Sequence, residues 1–193
     1  MTTMPTLDPR RTALVLIDLQ AGILAMPLAP RSGAEVLATA RNLATRFRAA
    51  GALVVPVRVG WAPDFADAPR QPVDQPMPRP AGGLPAGWSD LAEGVVEPGD
   101  VVVTKRQWGA FTGTDLDLQL RRRGIDTIVL GGIATNFGVE STARHAWELN
   151  YAVVFAEDAM TSRSAEMHGF AVEAILPRIG IVSQAADIQF GQS

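Results

Sequence analysis

The sequence of 193 residues contains no cysteine. Without a thiol the chain cannot form a disulfide, hold zinc through thiolates or use a cysteine nucleophile. Histidine is scarce as well, since only His145 and His168 occur, so a multi-histidine metal centre or a Ser-His-Asp hydrolase is hard to assemble. We therefore expect neither a metal nor another cofactor.

An excess of positive charge and long apolar runs are also missing. The formal net charge of -3 provides no broad basic field for nucleic acid or for an anionic membrane. The early apolar run Ala13–Ile17 is far too short to span a bilayer, and the start of the chain lacks the pattern of a secretion signal. These features predict a cytoplasmic protein with no nucleic-acid or membrane partner.

Short β-branched runs alternate along the chain with longer amphipathic segments. The predicted strands are Ala13–Ile17, Leu53–Val57, Val101–Thr104, Thr127–Leu130, Ala152–Phe155 and Gly180–Val182. The predicted helices are Ala34–Ala50, Asp115–Arg123, Val139–Asn150 and Ala165–Arg178. Most of the strands lack apolar/polar alternation, which is typical of buried parallel strands. The order predicts a single α/β domain over residues 1–193, a Rossmann-like, three-layer αβα sandwich around a doubly wound, mostly parallel sheet of about six strands.

The segment 61–98 interrupts this alternation with a stretch rich in proline, glycine and aspartate. Connections of this length in compact domains are usually lids, binding loops or partner contacts, and the alternative is a surface excursion without a function. Trp61 and Trp88 flank the proline-rich part, which favours a lid.

Polar residues lie at the ends of three predicted strands. Asp18 and then Gln20 follow the first strand, Lys105 follows the third, and the turn after the fourth leads to Gly138. Ligands of open α/β sheets bind beyond the carboxyl ends of the strands, so these residues are expected on one rim. Taken singly, Asp18 could be a turn residue and Lys105 a solvated lysine. Together they predict a site, because opposite charges at buried strand ends must pair with each other or with a ligand.

The third of these places is the stretch GGIATNFGVESTAR, Gly131–Arg144, which we call the elbow. Its first glycines allow close backbone approach, and Thr135 or Asn136 can cap the helix that follows. The first N–H groups of that helix would form a cradle for an oxyanion or a carboxylate, whereas the alternative is a plain connection into a capped helix.

Aromatic residues near the same rim predict a pocket with aromatic walls. Trp108 and Phe111 come soon after Lys105, and Trp61 follows the second strand. The alternative for Trp108 and Phe111 is ordinary core packing.

Three stretches of the chain resemble the isochorismatase-like (cysteine hydrolase) superfamily in order, spacing and strand context. They are ALVLIDLQAGI, TKRQWGAFTGTDLDLQLRRRGIDTIVLGGIAT and NFGVESTARHAWELNYAVVFAEDAMTS. The resemblance covers nearly the whole chain and implies catalytic positions at Asp18, Lys105 and Gly138. Because Gly138 stands where cysteine members have their nucleophile, the chain resembles a branch with glycine in that place.

The resemblance also implies a cis peptide bond between Ile133 and Ala134. The substrate-binding residues it suggests, together with those suggested by the rim, are Gln20, Trp61, Trp108, Ile133, Ala134, Thr135 and Asn136. Oligomers are common in the superfamily, so we expect a homo-oligomer, either a dimer or a tetramer.

The missing thiol restricts the chemistry that the resemblance implies. An acyl-enzyme cannot form on Gly138. Hydrolysis of an enol ether needs no protein nucleophile, because Asp18 can act as a general acid while Lys105 pairs with a carboxylate or an ether oxygen of the substrate. Two alternatives stay open: a non-catalytic protein that binds a small molecule or a partner, and a hydrolase of C–N bonds that uses water activated by Asp18.

Overall fold

The computed structural model describes residues 6–191, which form an α/β fold around one six-stranded sheet. The strands are β1 Thr12–Ile17, β2 Leu53–Val59, β3 Val103–Lys105, β4 Thr127–Ile133, β5 Ala152–Thr161 and β6 Ile181–Ser183. Their order across the sheet is β3-β2-β1-β4-β5-β6, and each neighbouring pair is parallel. The predicted fold class is confirmed, with a sheet that is wholly rather than mostly parallel.

Helices cover both faces of the sheet. They are α1 Ala21–Leu24, α2 Gly33–Ala49, α3 Leu116–Arg122, α4 Glu140–Glu148 and α5 Ala165–Phe170. Every residue of β1 is buried, because alternate side chains face opposite layers. Leu14 packs in the same cluster as Phe47 of α2, whereas Val15 packs in the cluster of Leu120 of α3 and Ala146 of α4.

Two predicted helices differ from the observed ones in their bounds and geometry. The helix predicted for Val139–Asn150 begins earlier, with a π-helical turn at Thr135–Val139 that continues into α4. The helix predicted for Ala165–Arg178 is α5 followed by a π-helical turn and a short 3₁₀ segment. The short helix α1 was not predicted, because four residues carry too little periodicity to detect.

The strand ends at the carboxyl rim also differ from the prediction. β3 begins later than predicted and includes Lys105, which pairs with Val59 at the end of β2. β4 and β5 run on until Ile133 pairs with Thr161. β4 and β5 are longer than predicted because their pairing continues past the β-branched runs that marked them in the sequence. The added length carries β5 up to the elbow.

The chain direction across the sheet reverses between β1 and β4. Connections from β1 lead outward to β2 and β3, whereas those from β4 lead to β5 and β6 on the other side. A crevice forms at such a switch point, beyond the carboxyl ends of the two central strands. Asp18 follows β1 and the elbow includes the end of β4, so both lie at this point.

The long segment 61–98 contains no named helix or strand, and it is attached near both of its ends. The indole of Trp61 donates to the carbonyl of Arg106 at 2.7 Å. Near the other end, the N–H of Ala92 donates to the carbonyl of Leu19 at 2.9 Å. Between these attachments, every residue from 69 to 82 is exposed to solvent, and we call this stretch the exposed arm.

No helix within residues 6–191 has the length and apolar character that a bilayer-spanning segment requires.

Removal of the arm should leave the fold intact. We expect replacement of residues 69–82 by a short Gly-Ser linker to change the free energy of unfolding by less than about 1 kcal/mol, because the arm buries little surface and loop length has a weak entropic effect. Urea unfolding followed by circular dichroism measures this. A large loss of stability would show that the arm makes contacts on which the fold depends.

Candidate active site

Asp18 and Lys105 form an ion pair at the carboxyl rim of the sheet. The ammonium of Lys105 donates to Oδ2 of Asp18 at 2.7 Å and to the carbonyl of Gln107 at 3.1 Å. The side chains are only 6% and 1% exposed, respectively. A charge of either sign is costly at this depth unless it has such a partner. The fold thus brings together the two charges that the sequence placed on separate strands.

Asp18 reaches this position through an unusual backbone conformation. Its φ of 54° lies in the left-handed region, which aspartate tolerates better than most residues. Its N–H continues the sheet by donating to the carbonyl of Val57 at 2.8 Å. A Cβ added to Gly138 would lie 3.4 Å from Oδ2, so the carboxyl group sits directly beside the elbow.

Burial controls the electrostatics of the Asp18 carboxyl group. Burial raises its pKa to about 6, against the opposing effect of the charge and the hydrogen bond of Lys105. The second oxygen, Oδ1, is buried and has no hydrogen-bond partner in the described part of the chain. An unpaired buried oxygen is costly. Protonation of the carboxyl or binding of a ligand that donates a hydrogen bond would lower that cost.

The backbone of the elbow approaches β1 closely. The peptide bond between Ile133 and Ala134 is cis. Gly132 has a φ of 116°, and a Cβ there would collide with the backbone of Ile17, so both the conformation and the space require glycine.

The prediction that Thr135 or Asn136 caps the helix is wrong. The residue before the helical turn is Ala134, and no side chain caps that turn. The hydroxyl of Thr135 instead donates to the carbonyl of Thr161 at 3.0 Å, and Oδ1 of Asn136 accepts from the hydroxyl of Ser162. Both side chains turn toward the end of β5, whose extra length supplies these partners.

Gly138 is buried, and hydrocarbon occupies the space beside it. A Cβ at this position would lie 2.8 Å from Cγ2 of Ile17, which is closer than carbon atoms pack. Ile17 is fully buried at the end of β1. A larger residue at Gly138 would therefore require Ile17 to move.

The aromatic residues do not behave alike. Trp61 is partly buried, and the centroid of its ring lies 6.2 Å from that of Trp88, the second tryptophan of the long segment. Trp108 is 61% exposed and packs edge-on against Phe137 of the elbow, with 4.8 Å between ring centroids. Phe111 is a core residue, so for this side chain the packing alternative is the correct one.

Gln20 is fully buried, and the backbone already uses its amide. Nε2 donates to the carbonyl of Val59 at 3.0 Å, and Oε1 accepts from the N–H of the same residue at 2.8 Å. This double contact ties the segment after β1 to the end of β2.

Three polar side chains behind the elbow had no signal in the sequence. His168 contacts Thr135 and Glu157, and Glu157 forms an ion pair with Arg31 at 2.9 Å. Glu157 lies inside a strand and His168 inside a helix, with no motif to connect them. Spacing therefore could not reveal the cluster. Within residues 6–191, no three His, Asp or Glu side chains are grouped so as to hold a metal ion.

Comparison with known proteins shows similarity along most of the chain. The family described as isochorismatase domain matches residues 12–187. The isochorismatase family protein YecD of Escherichia coli O157:H7 is 53% identical, covering 96% of this chain and 98% of that protein. The ureidoacrylate amidohydrolase RutB of Enterobacter sp. (strain 638) is 34% identical, covering 97% of this chain and 94% of that protein. The solved structure of an isochorismatase family protein from Burkholderia thailandensis is 51% identical, with a TM-score of 0.91 and coverage of 96% of this chain and 97% of that chain.

The raised pKa of Asp18 predicts how stability depends on pH. Between pH 3.8, the ordinary pKa of aspartate, and pH of about 6, the pKa in the fold, the Asp18 carboxyl keeps its proton in the folded state and loses it in the unfolded state. The contribution of Asp18 to stability therefore falls as pH rises through this window. Between pH 4 and pH 7, wild type should lose about 2–3 kcal/mol of unfolding free energy relative to Asp18→Asn, which cannot titrate. Urea unfolding at the two pH values measures this difference.

Carboxyl ¹³C NMR checks the same titration directly. The midpoint of Asp18 should lie near 6 and should rise in Lys105→Met, because that variant removes the charge and hydrogen bond that lower the pKa. A midpoint near 4 in wild type would contradict the prediction.

Proposed function

The chain belongs to the isochorismatase family and is a hydrolase, and we propose that it hydrolyses a small anionic or carbonyl-containing molecule by using Asp18 instead of a thiol. The observation that carries the proposal is the state of Asp18. Its carboxyl is buried beside Gly138, has a pKa of about 6 and keeps one oxygen that accepts no hydrogen bond from residues 6–191. Such a group can hold and transfer a proton near neutral pH.

The environment of Gly138 supports a mechanism without covalent catalysis. Ile17 fills the space into which a nucleophile's side chain would extend, so the glycine belongs to a packed arrangement. This packing supports assignment to a branch with glycine in place of the nucleophilic cysteine. Water would then be the attacking group.

For an enol ether, Asp18 would act first as an acid and then as a base. Its proton passes to the vinyl carbon, and the resulting oxocarbenium ion is attacked by water. The Asp18 carboxylate takes the proton that this water loses, and the hemiketal collapses to an alcohol and a carbonyl product. Lys105 uses two of its three N–H donors on Asp18 and Gln107, so the third is available for a carboxylate or ether oxygen of the substrate.

Hydrolysis of a C–N bond by water activated by Asp18 is the second candidate. Oδ1 of Asp18, which has no partner among residues 6–191, and the remaining donor of Lys105 match the N–H and C=O of an amide. The relative RutB is named for amidohydrolase activity on ureidoacrylate. The third candidate is a protein that binds a ligand without catalysis. A substrate whose turnover is lost in an Asp18 variant would reject this candidate.

We extend the proposal to the other residues that were expected to bind the substrate. Ile133 and Ala134 would face the substrate through their backbone, whereas Asn136 would offer the amide nitrogen opposite its bond to Ser162. Trp108 would border the entrance. Thr135 and Gln20 would act through the scaffold, because their side chains already have partners.

We further propose that the protein assembles as a dimer or tetramer. The support is the exposure of Trp108 and Trp147, since exposed tryptophan is enriched at protein interfaces.

A paired substrate screen tests the proposed reaction. We expect an enol ether of pyruvate, with isochorismate among those tried, to release pyruvate in a coupled dehydrogenase assay, and Asp18→Asn to lower kcat by about 10²–10⁴-fold. Asp74→Asn on the exposed arm is the matched control and should retain full activity. Ammonia release from an amide panel, without release of pyruvate, would favour the C–N hydrolase. Unchanged turnover in Asp18→Asn would reject both hydrolytic mechanisms.

A double-mutant cycle tests the packing at Gly138. Gly138→Ala should cost about 1–3 kcal/mol of unfolding free energy, because the added methyl group meets Cγ2 of Ile17. Ile17→Leu removes the branch at Cβ while keeping the volume. In that background Gly138→Ala should cost less, and the coupling measured by urea unfolding should exceed about 0.5 kcal/mol. Additive effects would contradict the packing argument. A Gly138→Cys variant that folds stably and is acylated by substrate on its new thiol would instead indicate that the chain has simply lost its nucleophile.

A further inference from the structure

A chain of hydrogen-bonded side chains connects the elbow to β5 and α5. Oγ1 of Thr135 lies 2.8 Å from Nδ1 of His168, and Nε2 of His168 lies 2.7 Å from Oε1 of Glu157. Thr135 is fully buried and His168 is 5% exposed. None of these three groups takes part in the proton transfers proposed for Asp18, and the scaffold role given to Thr135 leaves the contacts of His168 and Glu157 without an explanation.

Glu157 is a carboxylate in this arrangement. Burial raises its pKa, but hydrogen bonds from Arg31, Gln184 and His168 together outweigh burial and bring the value down to about 2. The guanidinium of Arg31 binds both carboxylate oxygens at 2.9 Å. A carboxylate can only accept hydrogen bonds, so the contact with Nε2 of His168 requires a proton on that nitrogen.

The other side of the imidazole faces a hydroxyl whose single proton is already used. Oγ1 of Thr135 donates to the carbonyl of Thr161 at 3.0 Å. A carbonyl cannot donate, so a hydroxyl that keeps this bond can only accept from Nδ1 of His168. Both ring nitrogens must therefore carry protons for all of these hydrogen bonds to form.

We propose that His168 is a doubly protonated imidazolium that, backed by Glu157, clamps the Thr135 hydroxyl and so positions the first helical turn of the elbow. Thr135 opens that turn, and Gly138, beside Asp18, belongs to it. His168 is thus a positioning residue that acts through Thr135. The charged groups that face it are Glu157 from β5 and, beyond the carboxylate, Arg31 from the connection between α1 and α2.

The cluster has one carboxylate for two cations. Glu157 is shared by His168 and Arg31, so the buried side of the elbow carries an excess positive charge. This excess adds to the positive end of the helix that begins there and would favour a negatively charged substrate. The catalytic consequence rests on the proposed hydrolase function, whereas the protonation state of His168 does not.

Imidazole ¹⁵N NMR of the full chain tests the protonation state without any substrate. At pH 7 we expect protons on both nitrogens of His168. His145, the only other histidine in the sequence, is the internal reference, and its ring lies 3.4 Å from the exposed hydroxyl of Thr112. A single proton on His168, with Nδ1 accepting from Thr135, would overturn the proposal.

A matched pair of Thr135 variants tests the positioning role. Thr135→Ser keeps the hydroxyl and should retain both protons on His168. Thr135→Val keeps the shape without the hydroxyl, so Nδ1 should lose its proton. Amide hydrogen exchange at residues 136–139 should then accelerate at least about tenfold. Exchange at Leu14 to Leu16 in β1 reports the global fold and should stay unchanged. Unaltered exchange at the elbow in Thr135→Val would overturn the positioning role.

Kinetics of any substrate found in the screen complete the test. Thr135→Val and His168→Gln should lower kcat about tenfold or more while KM changes less than threefold, and Thr135→Ser should restore activity. Equal kcat in the valine and serine variants would count against positioning. If the screen finds no substrate, the NMR and exchange results still decide the inference, so its failure is distinct from failure of the proposed function.

Discussion

The buried contact between Asp18 and Lys105 is the interaction on which the proposed chemistry depends. The sheet brings a carboxylate and an ammonium from positions 87 residues apart to 2.7 Å, where water barely reaches them. Burial opposes both charges, while their attraction favours both. For Asp18, burial is the stronger effect, and it leaves a carboxyl group that can change protonation near neutral pH. An exposed pair of the same residues would stay ionised and could serve only for binding.

The elbow beside this pair is shaped by backbone and packing. Gly132 allows β4 to lie against β1, and Gly138 leaves room for the methyl group of Ile17. On the opposite side, β5 extends far enough for Thr161 and Ser162 to engage the two polar residues at the start of the helical turn. The elbow is therefore held on both sides by neighbouring strands, while Asp18 and Lys105 are the groups that the proposed chemistry uses.

Several features could be predicted from local sequence because local energetics dominate them. The strands of the sheet were visible as β-branched runs, and their buried, unalternating pattern indicated parallel pairing. Asp18 and Lys105 were identified because charges at strand ends are unusual. The last predicted helix was drawn through Pro177, which lies in a separate 3₁₀ segment in the structure. The strand ends were missed, since long-range pairing sets them and periodicity does not. The expected cap at Thr135 failed for a similar reason: a partner on β5 competed with the helix.

The sequence by itself determined the class of fold, the absence of a thiol nucleophile and the two charged groups at the rim. These follow from residue type and from order along the chain. Only the tertiary structure decided the protonation chemistry of Asp18, the filling of the Gly138 site by Ile17 and the link from Glu157 through His168 to Thr135. Each of these depends on burial and on distances between side chains that are far apart in sequence, such as Thr135 and His168, whose positions differ by 33. Burial and distance are set by packing of the whole chain, which no local pattern of residues encodes.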